Sequence, residues 1–154
     1  MTPILTPELL FRGHFQSIDE VGPGPFGARQ VATMASGEVQ GERLHGTTVG
    51  AGADWLLVAQ DGFGRLDVRL TIRTHDGAHI YVQYFGLPEF NDDVVELLGG
   101  AGKSTEFGEL MFLVNPRMET GDPRYSWVNQ TMFIGEGRIL VGPIVEYRFF
   151  RVDK

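Results

Sequence analysis

Leu66-Asp67-Val68-Arg69-Leu70-Thr71-Ile72-Arg73, then Thr74-His75-Asp76-Gly77-Ala78, then Ile80-Tyr81-Val82-Gln83-Tyr84-Phe85, is the stretch that decides the fold. Leu66, Val68, Leu70 and Ile72 alternate with polar residues, the period-two pattern of a strand with one buried face. Asp76-Gly77 tolerates the positive φ of a tight turn. The return run alternates again, with Ile80, Val82 and Tyr84 set against Tyr81, Gln83 and Phe85.

Working outward, Asp61-Gly62 marks a second hairpin, joining Trp55-Leu-Leu-Val-Ala to Arg65 onward. Further strands are predicted near Leu9–Phe15, Ala28–Ala35, Glu38–Gly41, Arg43–Val49, Glu109–Asn115, Ser126–Gly135 and Ile139–Val152. One helix is predicted, Asn91 to Leu98. Asn91 can cap it, Asp92 and Asp93 suit its positive end, and Gly99-Gly100 stop it. Gly22-Pro-Gly-Pro-Phe-Gly27 reads as a rigid turn, not a linker. With no boundary or repeat in view, the expectation is one domain over residues 1–154. Many short strands in one domain point to a barrel or sandwich, and a closed barrel leaves no exposed edges.

The balance of 13 basic against 20 acidic residues, net charge -7, argues against nucleic acid. Only Lys103 and Lys154 are lysines, so a polybasic membrane patch is not expected either. Without cysteine there are no disulfides, thiolate nucleophiles or Cys-based zinc sites. No signal peptide or membrane span is read, which makes the cytoplasm the expected location. His14, His45, His75 and His79 lack zinc spacing, and no metal is expected. Gly102-Lys103-Ser104 lacks the leading glycine of a phosphate loop, and Gly50-Ala51-Gly52 lacks the third glycine of a dinucleotide fingerprint, so no cofactor is expected. No Gly-x-Ser-x-Gly elbow is present.

The densest chemistry lies in Pro116-Arg117-Met118-Glu119-Thr120-Gly121-Asp122-Pro123-Arg124-Tyr125-Ser126-Trp127-Val128-Asn129, where carboxylates, arginines, Tyr, Trp and Asn surround a Gly-Asp-Pro turn. A pocket needs such fixed polar groups among apolar walls. The turn is read as leading into a strand from Trp127 to Ile134. Asp122-Pro123 reads as turn chemistry, and Asp54 as a residue that caps a strand or pairs with an arginine.

Gly52-Ala53-Asp54-Trp55, Asp61-Gly62, Leu66-Asp67-Val68-Arg69, Asp76-Gly77-Ala78 with Ile80-Tyr81-Val82, and Arg117-x-Glu119-Thr120-Gly121-Asp122-Pro123-Arg124-Tyr125-x-Trp127-x-Asn129 occur in this order. This series resembles the bacterial and fungal family 3237 of the domains of unknown function, over nearly the whole chain. The last motif is the specific one. The resemblance implies a mainly β fold, a single antiparallel lipocalin-like barrel of the calycin or allene-oxide-cyclase kind, with one short helix and a central cavity. It implies little about chemistry. Gly86-Leu-Pro-Glu-Phe-Asn91, ahead of the helix, departs from the family's pattern.

In a small barrel, residues alternate between the interior and the outside. One reading places Asp67 and Asn129 in the cavity beside Trp55, Tyr81 and Trp127. The other makes the Asp67, Arg69, Thr71 and Arg73 face a solvated one with cross-strand ion pairs. On the first reading, Asp67 and Glu119 are the acid–base candidates, since a carboxylate against aromatic walls titrates nearer neutrality. Tyr81 or Tyr125 would donate to a developing oxyanion, and Arg117 would hold a carboxylate or oxyanion. Trp55, Arg69, Tyr125, Trp127 and Asn129 complete the expected ligand-binding set. For Arg117 and Glu119 the alternative is a mutual salt bridge.

The available kit is therefore carboxylate, Tyr and Arg chemistry. It suits a cofactor-independent enzyme acting on a small aromatic or carbonyl compound by isomerisation, cyclisation, addition or elimination. A lipocalin-type protein that binds a small hydrophobic ligand without converting it is the alternative, and an oligomeric scaffold with a filled barrel is a third. A homodimer or higher homo-oligomer is expected.

Overall fold

The computed structural model describes residues 1–154. The alternating runs around Asp76-Gly77 form β4 (Gly64–Thr74) and β5 (His79–Pro88). Three strands precede them: β1 (Ile4–Glu20), β2 (Ala28–Gly41) and β3 (Gly46–Val58). After them come α1 (Asp92–Leu98), β6 (Phe112–Val114), β7 (Arg117–Glu119), a 3-10 helix (Pro123–Gln130), β8 (Phe133–Leu140) and β9 (Ile144–Asp153). The strands are antiparallel in the order β4-β3-β2-β1-β9-β8-β6-β5, and β5 pairs back onto β4. The sheet is therefore a ring. β6 pairs with β5 at Gly86–Pro88 and β7 at Tyr81–Gln83, so the two share one place in an eight-position barrel. The antiparallel barrel expected from the sequence is the fold observed.

Several strand boundaries differ from expectation: Leu9–Phe15 extends to Ile4–Glu20, Glu109–Asn115 shortens to Phe112–Val114, and Arg117–Glu119 is an added strand. Ala28–Ala35 and Glu38–Gly41 are one strand, and Arg43–Val49 merges with the run at Trp55 into β3. Register breaks between Thr33 and Glu38, and between Val49 and Ala53, bend these strands without ending them. Ile139–Val152 is two strands, because the chain turns at Gly142, whose φ of +155° suits glycine. The expected strand Ser126–Gly135 begins only at Phe133. Before it, the Asp122 side chain accepts the Arg124 N–H at 2.9 Å and Pro123 supplies a helical φ, so the segment starts as a helix.

The interior is aliphatic along β4 and along β5 as far as Val82, and aromatic from Tyr84 across to β1, β6 and β9. Leu66, Val68, Leu70, Ile72, Ile80 and Val82 are all buried. Phe11, Phe112, Tyr147 and Phe149 meet them as a cluster, with the Phe112 and Tyr147 rings edge to face at 5.4 Å. Gly137 stands opposite Tyr147 on β8, and a Cβ there would lie 2.8 Å from the Phe112 ring. Glycine at 137 is what admits that ring.

On the outer face, Glu146 of β9 sits between Arg12 of β1 and Arg138 of β8, its cross-strand neighbours. Arg12 Nε donates to it at 2.8 Å and Arg138 Nε at 2.9 Å. Glu146 is nevertheless only 2% exposed. No helix is long and apolar enough to cross a membrane.

Candidate functional site

The barrel is filled at one end and hollow at the other. The hollow end is framed by the β1–β2, β3–β4 and β8–β9 turns and by the segment entering α1. A cavity of about 40 Å³ lies there, with room for a few water molecules. Phe15, Leu56, Leu66, Phe112 and Val145 form hydrocarbon walls, and Phe90 and Leu98 close it from the α1 segment. Asn91 sets that segment by accepting the Val94 N–H at 3.0 Å, which lets Val94 and Leu97 bury beneath it.

Three polar groups face this apolar space: Asp54, Gln30 and the Tyr147 hydroxyl. Asp54 stands between Ala32 of β2 and Val68 of β4, both of which point inward. The β3–β4 ladder opens between the pairs Asp54–Val68 and Leu57–Arg65. There Asp54 Oδ1 accepts the Asp67 main-chain N–H at 3.0 Å. No other hydrogen bond reaches the carboxyl, so Oδ2 is available to a ligand. Burial raises the Asp54 pKa to about 7, with the Asp67 charge adding to the rise and Arg29 opposing it, as does the Asp67 N–H. Across the interior, Tyr84 and Tyr147 are both buried, with their rings edge to face at 5.3 Å. Desolvation pushes both phenols upward, so they remain protonated donors.

The residues expected to line the cavity lie elsewhere. β4 buries Leu66, Val68, Leu70 and Ile72, which leaves Asp67 and Arg69 on the outer face, about half exposed and 3.7 Å apart. Burying four aliphatic chains is favourable, while burying an Asp and an Arg carries a desolvation cost. The register extends this outer row: Arg69 faces Gln83, which faces Arg117, and Thr71 faces Tyr81, which faces Glu119. Tyr81, Arg117 and Glu119 are therefore brought together with Asp67 and Arg69, but outside the barrel. Arg117 and Glu119 point the same way without forming the expected mutual salt bridge. Trp55 is also outside, 41% exposed.

Tyr125, Trp127 and Asn129 lie on the 3-10 helix at the filled end. The Tyr125 hydroxyl donates to Asp76 Oδ1 at 2.8 Å, and Arg124 Nη1 donates to the Asp76 carbonyl at 3.0 Å. The Thr120–Tyr125 motif and the Asp76-Gly77 turn thus form one lock. Trp127 lies under the Arg43 guanidinium, 3.7 Å from the ring centroid. Asn129 accepts the Thr120 N–H at 2.8 Å and donates to the Thr120 carbonyl at 2.9 Å. His75 stacks on His45 at 3.7 Å, and His79 pairs across from Arg73.

Sequence reasoning passed over Asp54 as an acid–base group. The signal was there: Asp54 shares strand parity with Leu56, so the pattern that buries Leu56 also buries Asp54.

A family model described as a protein of unknown function, DUF3237, matches residues 3–152. A UPF0311 protein of Rhodopseudomonas palustris is 32% identical over 142 residues, covering 88% of this chain and 89% of the relative. The crystal structure of a conserved protein of unknown function from the same species superposes with a TM-score of 0.89 at 24% identity, over 99% of each chain. An enzyme from Penicillium herquei shares the barrel at a TM-score of 0.67 and 20% identity, over 99% of this chain and 97% of that one. With its family model matched from end to end of the barrel, this chain belongs to the DUF3237 family.

Proposed function

We propose that this protein is a cofactor-independent enzyme that moves a proton on a small, uncharged, largely apolar molecule held in the mouth cavity. The observation that carries the reading is the Asp54 carboxyl, which burial among hydrocarbon walls brings to a pKa of about 7. A group poised there both takes and gives a proton at neutral pH. Tyr147 is the matching donor. Burial keeps its phenol protonated, so its hydroxyl can donate to an oxygen on the substrate. No lysine or arginine lines the cavity, so a carboxylate substrate would meet no countercharge there. Isomerisation, cyclisation, addition and elimination all fit this kit. The enzyme from Penicillium herquei supports the reading only as a case of the same barrel serving catalysis.

The cavity is too small in this state for such a molecule, so Phe90 and Leu98 must swing aside to admit one.

The test is proton exchange. Small ketones and phenols are incubated with the protein in deuterated water, and loss of the exchangeable C–H signals is followed by NMR. General acid–base catalysis predicts acceleration by roughly 10²–10⁴-fold, abolished in Asp54→Asn. Saturable binding with no exchange in either protein would favour the second reading, a binding protein for a small apolar ligand, which the hydrocarbon lining suits equally well.

A further inference from the structure

Between β7 and β8 the barrel wall is incomplete. β6 pairs with β8 only at Leu113–Glu136 and Val114–Gly135, and β7 pairs only with β5. A groove of about 840 Å³ opens where the two strands diverge.

Strand alternation shows what this groove presents. Thr120 directs both its N–H and its carbonyl away from β5, because the Asn129 side chain satisfies both. Two residues earlier, Met118 directs its N–H and carbonyl the same way, where no strand meets them. On the facing wall, the Met132 carbonyl accepts the Val152 N–H from β9 at 2.9 Å. Phe133, the next residue, therefore turns its own N–H and carbonyl towards the groove. Each wall thus offers a main-chain donor and acceptor.

The molecule itself contains a sample of what binds there. The Asn129 side chain is a planar amide, and it sits on Thr120 as a neighbouring strand's peptide group would. The next place along the edge, at Met118, is open. Arg117 and Glu119 flank it on the outer rim, exposed and opposite in charge.

We propose that this groove is a second binding site, which takes an extended peptide main chain of about three residues as an added strand between β7 and β8. Lying antiparallel to β7, the peptide would place a basic residue beside Glu119 and an acidic one beside Arg117. Its middle residue would exchange two hydrogen bonds with Met118 and carry a small side chain.

The probe is N-acetyl-Lys-Ala-Glu-N-methylamide, titrated into ¹⁵N-labelled protein. Saturable shifts centred on the Met118 and Phe133 amides are expected. The analogue with lactic acid in place of alanine lacks the N–H given to the Met118 carbonyl, and it should bind roughly three- to tenfold more weakly. Shifts absent from these two amides, equal affinity for the two probes, or slow hydrogen exchange of the Met118 amide in the free protein would each overturn the proposal.

Discussion

Asp54 and Asp67 are joined through the barrel wall: the carboxyl that faces the cavity holds the main-chain N–H of a residue whose own side chain faces solvent. The inner acid is therefore fixed by the same gap in the β3–β4 ladder that sets it beside the mouth.

That arrangement separates stability from function at Asp54. Its pKa is about 7 in the folded protein against 3.8 in an ordinary setting. Between these values the folded state binds the extra proton, so this group makes stability fall as pH rises from about 4 to 7. That difference corresponds to an upper bound of about 4 kcal/mol. Asp54→Asn keeps an oxygen for the Asp67 N–H and removes the buried charge. It should raise the midpoint of urea unfolding at pH 8 and change it little at pH 4. In the same variant, proton-transfer activity should vanish, and in the parent protein that activity should rise through pH 7.

Glu146 has the opposite character. Burial would raise its pKa, but Arg12 and Arg138 outweigh that and hold its carboxyl below the ordinary value. Its contribution is therefore present near neutrality and is lost as pH falls through the carboxylate range. Glu146→Ala leaves two arginines facing each other without their shared partner, and should cost about 3 kcal/mol in chemical denaturation.

At the filled end, Tyr125→Phe removes only the hydroxyl that donates to Asp76. A loss of about 1 kcal/mol in unfolding free energy is expected. Ligand uptake at the mouth should be unchanged, which a titration of the same variant would check.

Gly137→Ala puts a methyl group 2.8 Å from the Phe112 ring. Overpacking of this kind costs about 1–3 kcal/mol. Because Phe112 also walls the cavity, ligand affinity should change together with the melting temperature.

Strand pattern was legible in the sequence; strand facing was not. Alternation along Leu66–Arg73 defines two faces, and the aliphatic one was taken by the core, with Asp67 and Arg69 left to solvent. The hairpins at Asp61-Gly62 and Asp76-Gly77 and the Asn91 cap were readable because each is a local signal of turn or cap chemistry. The run after Asp122-Pro123 misled because Trp127, Val128 and Thr131 favour strands individually, while the Asp-Pro start commits the chain to a helix before they act. Asp54 was visible only through its parity with Leu56, since its chemistry depends on Ala32, Val68 and Tyr147, which lie far away in the chain.

The Tyr125–Asp76 lock has a further consequence. It seals the base of the vessel, whereas Phe90 and Leu98 shape its rim, at the far end of the same staves. Substitutions along the rim can therefore alter what the vessel admits while its foundation stays shut, so one barrel can be refitted for different contents without being rebuilt.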